Sequence, residues 1–416
     1  QPHPILLTRT PYSCRPYGVS NVRDTLGPSE AAARDLFIFV YQDVRGRWMS
    51  EGEYMDVRPH KAQKSGPADV DESTDTWDTI DWLVKPLPRN NGKVGMWGIS
   101  YPGFYVSAGM IDAHPALKAS SPQAPITDWF VGDDFHHNGA LFLPHAFNFY
   151  SRFGLPRPEP TTKGPDRFDY GTADGYRFYL EAGPLSNLDT KFLKGRVAFW
   201  KDVMQHETYD DFWKARNLRP HLKAIKPAVM TVGGWFDAED LFGALETYRS
   251  VEKQSPGAAN TLVMGPWYHG GWSRAEGDRL GDVHFDASTS RHYRESIELP
   301  FFRRYLKGTS DAAPAEAHVF ETGRNQWHAL ASWPPAGVRA RTLYFRADGR
   351  LGFEPPGEGD AADAYDSDPR KPVPFAEDVQ IGMTREYMVA DQRFAARRPD
   401  VLAYQTEPLE EDLTLA

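Results

Sequence analysis

Short apolar runs that end close to glycine or another turn residue recur along much of the chain. These runs are rich in large apolar and β-branched residues and lie at 5–8, 36–41, 93–97, 228–232 and 261–264. Between them apolar residues return with helical spacing, as over residues 77–84. Strands that alternate with helices in this way predict an α/β fold with a mostly parallel sheet.

The middle of the chain has a different texture. Residues 131–222 contain few strand-like runs and many aromatic side chains. A segment of this kind, placed between strands of the α/β part, predicts a helical insertion that covers one edge of the sheet.

After a helical pattern over residues 293–306, the chain changes to short alternating segments with many turn residues. Examples lie at 317–321, 342–346 and 382–389. Such spacing predicts an antiparallel β-sandwich. The predicted domains are an α/β domain from 1–130 and 223–308, a helical cap at 131–222, and a partial β-sandwich at 309–416.

Sequence features at both ends of the chain lead us to expect a longer protein. Gln1 is not a methionine, and a strand-like run begins a few residues later. We therefore expect a further N-terminal segment, which would carry any signal peptide. Too few strand-like segments follow residue 308 for a closed sandwich, so we expect this domain to be truncated.

Composition and charge exclude several classes of function. Apolar residues make up 40% of the 416 residues and charged residues 25%, which is typical of a folded globular protein. The 57 acidic and 47 basic residues give a net charge of −10, which disfavours nucleic acids and anionic membrane surfaces as partners. The longest apolar run, at 36–41, is far shorter than the roughly 20 residues of a membrane span. Cys14 is the only cysteine, which rules out an intrachain disulfide and a thiolate metal cage.

A serine stands at a predicted strand–turn–helix junction. The strand at 93–97 leads into Gly98 and Ser100, and a helix-compatible stretch follows at 104–111. At such a turn a strained backbone exposes the serine hydroxyl as a nucleophile. The usual pattern is G-x-S-x-G, but here Pro102 takes the second glycine position. The alternative reading is a glycine–serine turn without chemistry.

An acid and a histidine follow two later strands. Asp237 comes shortly after the run at 228–232, and His269 shortly after the run at 261–264. Parallel strands bring their carboxyl ends to one edge of a sheet, and α/β-hydrolases use the chain order serine, acid, histidine. The spacing therefore predicts a triad of Ser100, Asp237 and His269.

Acyl transfer also needs donors for the developing oxyanion. The backbone N–H of Tyr101 follows the predicted nucleophile and is one candidate. Tyr12 follows the first strand and would emerge at the same edge, so its phenol is a second candidate. The alternative for Tyr12 is an aromatic residue at the rim with a solvated hydroxyl.

More carboxylates lie near the triad acid than a triad needs. Glu239 and Asp240 follow Asp237 closely, and Asp133 and Asp134 lie in the insertion. Clustered carboxylates favour a cationic ligand such as an ammonium group. Two alternatives remain open.

The first alternative is that Glu239 and Asp240 only stabilise the start of a helix at 241–251 through its dipole. The second is a metal site that uses His136 and His137. Adjacent histidines rarely converge on one ion and no helical i, i+4 pair is present, so we expect no metal and no cofactor.

At this point the chain resembles a known family. It is similar over nearly its whole length to the α-amino acid ester hydrolases, within the group that includes cocaine esterase, glutaryl cephalosporin acylases and X-Pro dipeptidyl peptidases. The stretches that carry the resemblance are LTRTPY, QDVRGRWMSEG, DTWDTIDWL, GKVGMWGISYPGF, VGDDFHHNGA, GGWFDAEDLFGAL and NTLVMGPWYHGGW. The resemblance implies an α/β-hydrolase domain, a helical cap and a C-terminal jelly roll.

Carried over by position, the resemblance implies roles for the residues singled out above. Ser100 becomes the nucleophile, Asp237 the triad acid and His269 the general base. Tyr101 and Tyr12 become the backbone and phenolic oxyanion donors.

The resemblance also implies that Asp134, Glu239 and Asp240 bind the α-ammonium group of the substrate. The expected function is a serine hydrolase and acyltransferase for α-amino acid esters or amides, including β-lactam antibiotics with an α-amino acyl side chain. The alternatives are an X-Pro dipeptidyl peptidase, a general carboxylesterase, a glutaryl acylase and an inactive hydrolase that serves as a binding module. The family also suggests a periplasmic or secreted location, and a homo-oligomer is possible.

Overall fold

The computed structural model of the protein describes residues 2–357 and 362–416. Fourteen strands occur in these residues. They are β1 (His3–Thr10), β2 (Ile38–Asp43), β3 (Asn90–Ile99), β4 (Leu117–Gln123), β5 (His136–His137), β6 (Ala140–Leu141), β7 (Ala228–Gly234), β8 (Asn260–Gly265), β9 (Arg279–Leu280), β10 (Val283–His284), β11 (Ala317–Glu321), β12 (Gln326–Leu330), β13 (Tyr344–Arg346) and β14 (Arg350–Gly352).

Eight of these strands form one sheet in the order β12-β11-β8-β7-β4-β3-β1-β2. All neighbouring pairs are parallel except β11–β12. Every residue of β7 and β8 is buried, as expected for strands covered on both faces. The predicted α/β fold with a mostly parallel sheet is confirmed, and the carboxyl ends of β1, β3, β7 and β8 lie at one edge.

The α-helices flank this sheet or belong to the insertion. They are α1 (Glu30–Arg34), α2 (Glu72–Val84), α3 (Tyr101–Gly109), α4 (Leu143–Phe153), α5 (Gly175–Ala182), α6 (Ala198–Gln205), α7 (Asp211–Arg216), α8 (Leu241–Gln254), α9 (Gly271–Arg274), α10 (Thr289–His292), α11 (Leu299–Phe302) and α12 (Arg393–Ala396). π-Helical turns lie at Leu188–Leu193, Tyr293–Glu298 and Arg303–Lys307, and 3₁₀ turns at Arg219–His221, Ala347–Gly349 and Tyr387–Val389. No helix of the described residues is both long and apolar enough to cross a bilayer.

The predicted helical insertion contains α4 to α7 and forms a cap over the sheet. Its aromatic residues share one hydrophobic cluster with the sheet domain: Phe147 and Trp200 of the cap belong to the same cluster as Met96 of β3. The cap is therefore packed against the sheet rather than tethered to it. The domain boundaries at 131–222 and 309–416 stay predictions.

The C-terminal segment differs from its prediction. Residues 317–321 were expected in the sandwich, but β11 runs parallel to β8 and extends the main sheet, with β12 beside it. A short alternating run shows that a strand has two different faces, but it does not show which sheet the strand joins. Residues 382–389 were also expected to be a strand, and they form turns that end in the 3₁₀ turn at Tyr387–Val389.

A buried arginine ties the carboxyl end of β1 to the start of α2. Arg9 is 1% exposed, and its Nη1 lies 3.1 Å from Glu72 Oε2 and 2.8 Å from Thr76 Oγ1. Its Nη2 lies 3.8 Å from Asp75 Oδ2. A capping box at Asp71 begins α2 at this point. The network holds the end of β1, from which the chain runs directly to Tyr12.

We expect the substitution Arg9→Met to lower the free energy of unfolding by about 3 kcal/mol, because it leaves the buried Glu72 carboxylate with only Arg58 at 3.8 Å, while Asp75 keeps Arg45. Urea unfolding measures the change. The control Arg34→Met removes an exposed ion pair with Glu30 and should cost less than about 1 kcal/mol. Equal losses in the two variants would contradict the role assigned to Arg9.

Candidate active site

Ser100 occupies a strained turn between β3 and α3. Its backbone has φ 68° and ψ −127°, a region that non-glycine residues rarely adopt. A Cβ on Gly98 would lie 2.5 Å from the carbonyl oxygen and 2.7 Å from the Cβ of Pro102. Gly98, two residues before the serine, thus leaves space for Pro102. This space lets the turn carry a proline at the second glycine position of G-x-S-x-G. The N–H of Ser100 donates to the Gln123 carbonyl at 2.9 Å.

His269 is held by Asp237 beyond the ends of β8 and β7. His269 Nδ1 lies 2.9 Å from Asp237 Oδ2 and 3.1 Å from Oδ1. Asp237 is 2% exposed, and its Oδ1 also accepts the backbone N–H groups of Glu239 and Asp240. The carboxylate is therefore fixed by the first turn that follows it. With Nδ1 engaged, His269 Nε2 is the nitrogen that remains for proton transfer.

The surroundings of His269 favour its charged form. Burial alone would lower the pKa of this imidazole, but the carboxylates of Asp237 and Glu239 outweigh burial and raise its pKa to about 10. Glu239 Oε2 lies 3.5 Å from His269 Nε2. These carboxylates thus stabilise the imidazolium form of His269.

Tyr12 reaches the nucleophile. Its hydroxyl interacts electrostatically with the Ser100 side chain, and its ring packs edge-on against Tyr101 and Phe153 at centroid distances of 6.3 and 5.7 Å. Burial of the hydroxyl, followed by the nearby carboxylate charges, raises the pKa of Tyr12 well above its ordinary value. The phenol therefore keeps its proton and can donate it in a hydrogen bond. The Tyr12 side chain as a whole is 41% exposed, so its role as an oxyanion donor stays a prediction.

Tyr101 is the first residue of α3, where backbone N–H groups have no acceptor within the helix. Its side chain is buried elsewhere, with its hydroxyl 2.6 Å from that of Tyr54 and accepting the N–H of Val57 at 2.7 Å. Only the backbone of Tyr101 is thus free for an oxyanion.

The cap brings Asp134 to the carboxylates that follow Asp237. The N–H of Asp134 donates to the carbonyl of Glu239 at 2.8 Å, and Trp129 Nε1 donates to Asp134 Oδ2 at 2.7 Å. Burial opposes ionisation of Asp134, but the neighbouring His145 lowers its pKa below the ordinary value. Asp134 is therefore charged.

Asp240 is fully buried, and its carboxyl group lies against that of Asp134, to which it can donate a hydrogen bond when it is protonated. Burial, together with the charges of Asp134, Asp133 and Asp237, raises its pKa well above the ordinary value. Asp240 precedes α8 but its side chain makes no capping hydrogen bond. A role limited to helix capping therefore does not account for it.

Asp133 does not belong to the carboxylate cluster. Its Oδ2 accepts the backbone N–H groups of Thr127 and Asp128, and its Oδ1 accepts the N–H of Gly243 in α8 at 2.7 Å. The pocket expected from both neighbouring aspartates thus uses only Asp134. Asp133 instead joins the cap loop to the sheet domain.

His145 of α4 is a site residue that the sequence did not reveal. Its Nε2 lies 3.5 Å from Asp134 Oδ1 and 3.6 Å from Glu239 Oε2. Burial lowers the pKa of His145, but the two carboxylates outweigh burial and raise it. The ligand atoms of these three residues lie within 4.8 Å of one another, a spacing that suits a small cation.

The adjacent histidines His136 and His137 do not form part of this cluster. His136 Nδ1 is hydrogen-bonded to the Trp129 carbonyl at 3.0 Å, and its ring packs on Phe130 and Trp213. It is a satisfied histidine of the core. The absence of a bound metal stays a prediction.

Comparisons with known proteins identify the family of the chain. Residues 1–271 match the family described as X-Pro dipeptidyl-peptidase (S15 family), and residues 311–416 match the X-Pro dipeptidyl-peptidase C-terminal non-catalytic domain. Cocaine esterase from Rhodococcus sp. (strain MB1 Bresler) is 26% identical over 425 residues, which cover 98% of this chain and 70% of that protein.

Two solved structures share the fold over nearly the whole chain. An aminopeptidase from a marine sediment Thaumarchaeota archaeon is 35% identical with a TM-score of 0.88, covering 99% of this chain and 68% of that one. An α-amino acid ester hydrolase labelled with selenomethionine is 34% identical with a TM-score of 0.87, covering 98% and 68%. The resemblance to the α-amino acid ester hydrolases is confirmed, and the chain belongs to the X-Pro dipeptidyl-peptidase (S15) family of hydrolases.

Proposed function

We propose that the protein is a serine hydrolase and acyltransferase that acts on α-amino acid esters and amides. The observation that carries this proposal is the cluster of carboxyl groups of Asp134, Glu239 and Asp240 beside the His269–Asp237 pair. A hydrolytic triad alone does not need these three groups. They supply the negative charge that a free amino group would require.

In the proposed acylation step, Ser100 Oγ attacks the carbonyl carbon of the substrate and its proton passes to His269 Nε2. Asp237 holds the imidazole in the correct tautomer and stabilises its cation. The bond between the carbonyl carbon and the leaving oxygen or nitrogen then breaks. The leaving group takes the proton from His269, and an acyl-enzyme on Ser100 remains.

The oxyanion of each tetrahedral intermediate would accept hydrogen bonds from the Tyr101 N–H and the Tyr12 hydroxyl. Deacylation repeats the chemistry with a new nucleophile. Water or an amine attacks the acyl carbon, His269 takes a proton from it, and Ser100 regains that proton as the acyl bond breaks. A β-lactam nucleus as acceptor gives transfer, and a β-lactam antibiotic with an α-amino acyl side chain as donor gives hydrolysis.

The same carboxylates disfavour binding of acyl groups that carry a negative charge. A glutaryl side chain would place a further negative charge near Asp134 and Glu239, and like charges at close range disfavour such a ligand. The glutaryl acylase alternative is therefore less well supported than an amino-directed activity.

A second candidate is an X-Pro dipeptidyl peptidase or another aminopeptidase. The matching family model and one of the two similar structures carry such names, and these activities also recognise a free amino terminus. Chromogenic amides separate the candidates: a single aminoacyl amide tests the ester-hydrolase pocket, and a dipeptidyl amide ending in proline tests the longer one. Failure of a fluorophosphonate probe to label Ser100 would instead favour an inactive binding module.

We expect phenylglycine methyl ester to be hydrolysed much faster than its N-acetylated form, because only the free amine carries the charge that the cluster binds. Purified protein and the Ser100→Ala variant as blank provide the measurement. Persistent activity in the blank would contradict the triad. Equal rates for the two esters would contradict the ammonium pocket.

We expect Asp134→Asn to raise KM for phenylglycine methyl ester about 10- to 100-fold, since a charge-assisted hydrogen bond contributes about 1.5–3 kcal/mol. The KM for a simple acetate ester should stay close to that of the unmodified protein. Asp211→Asn, at a fully exposed position of α7, is the matched control. An equal rise for both esters would show that Asp134 acts through the fold.

We expect Tyr12→Phe to lower kcat by roughly 10²–10³ while KM changes little, because the lost donor acts on charge that develops in the transition state. Tyr176→Phe is the control, since Tyr176 has the same exposed fraction of 41% and donates to the carbonyl of Pro372. An unchanged kcat in the Tyr12 variant would assign the phenol to the rim.

A further inference from the structure

Glu239 contacts the part of His269 on which catalysis depends. Its Oε2 lies 3.5 Å from His269 Nε2 and 3.6 Å from His145 Nε2. Its backbone N–H donates to Asp237 Oδ1 at 2.8 Å, which sets the residue directly against the triad acid. One carboxylate thus faces the general base on one side and the cap on the other.

The pairing of Glu239 with Nε2 opposes base catalysis. Nδ1 is held by Asp237, so Nε2 is the atom that must accept the proton of Ser100. A carboxylate beside Nε2 favours a proton on that nitrogen. The other group beside the Ser100 hydroxyl is the Tyr12 phenol, which keeps its proton. In this arrangement the nucleophile has no unprotonated acceptor.

We propose that Glu239 is a positioning residue that couples the amino group of the substrate to the general base. An ammonium group bound among the carboxylates draws the Glu239 carboxylate away from His269 Nε2, and the proton on Nε2 leaves to solvent. One positive charge enters and one leaves, so the net charge of the site is conserved. The inference rests on the proposed function and explains how an amino group would raise kcat as well as affinity.

The arrangement of the cluster supports this exchange. An ammonium group has three N–H donors, and three carboxyl groups surround the place where it would bind. Asp134 is joined to Glu239 through the backbone, and the buried carboxyl group of Asp240 lies against that of Asp134. The carboxylates that pair with the imidazoles can therefore pair with the ammonium group of the ligand instead.

The titratable groups of the described residues that surround His269 come from three parts of the fold. From the loop after β7 come Asp237, Glu239 and Asp240; from the cap come Asp134 and His145; from the loop after β1 comes Tyr12. The burial and carboxylate charges that raise the pKa of His269 to about 10 are consistent with the same picture. A bound cation reduces the effect of those charges.

The variant Glu239→Gln keeps the shape of the side chain and removes its charge. We expect kcat/KM for p-nitrophenyl acetate to rise, by about tenfold for each unit by which the pKa of His269 falls, and the acidic limb of its pH profile to move to lower pH. We expect kcat/KM for phenylglycine methyl ester to fall. Glu181→Gln, at an exposed ion pair on α5, is the control for loss of one negative charge.

A second measurement uses the unmodified protein. Methylammonium should stimulate hydrolysis of p-nitrophenyl acetate in a saturable manner, because it can occupy the cluster without an ester of its own. Tetramethylammonium at equal ionic strength lacks N–H donors and should not stimulate. The Glu239→Gln variant should lose the response, and Ser100→Ala gives the rate of direct aminolysis to be subtracted.

Opposite effects of Glu239→Gln on the two esters, together with stimulation by methylammonium, would support the coupling. A parallel loss with both esters, or no response to methylammonium, would overturn it. A wild-type preference for the free amine with such a parallel loss would leave the proposed function intact and reject only the coupling. Absence of that preference would reject the proposed function itself.

Discussion

Mutual repulsion among four carboxyl groups, three of them buried and that of Glu239 partly exposed, is the constraint on which the site depends. Asp134, Asp237, Glu239 and Asp240 meet at one edge of the sheet, where burial makes each additional charge costly. Nearby imidazoles and several backbone N–H donors reduce this repulsion, and the raised pKa of Asp240 favours its uncharged form. A cationic ligand would relieve the same repulsion, which is why the cluster and the proposed substrate belong together.

The cluster can work only if two distant parts of the chain are held in register. Asp133 performs this task, because its carboxylate accepts N–H groups from the cap loop and from Gly243 of α8. Gln123 has a similar role beside Ser100. Its carbonyl accepts the N–H of Ser100, and its side chain accepts a hydrogen bond from Trp272 and donates one to Glu298. The serine turn and the histidine loop therefore share one buried anchor. The carboxylate cluster and the serine turn are therefore held by separate sets of hydrogen bonds.

Much of the fold could be predicted from local patterns. The strand-like runs at 5–8 and 228–232 fall within β1 and β7, because a strand buried on both faces needs a continuous apolar run. β4 was missed because Leu117–Gln123 is rich in small and polar residues, although most of it is buried. The sheet membership of β11 was missed for another reason. Pairing partners are chosen by long-range packing, and a short alternating run is compatible with several of them.

The sequence by itself determined the serine turn, the chain order of Ser100, Asp237 and His269, and the excess of acidic residues after the triad acid. These features are local, because strand ends and turns are encoded within a few residues. The resemblance singled out Asp134, but only the tertiary structure decided that Asp133 binds backbone N–H groups instead and that His145 joins the cluster. Neighbouring residues on an irregular loop point in different directions, and a helix of the cap meets the sheet only through packing. No spacing along the chain records either contact.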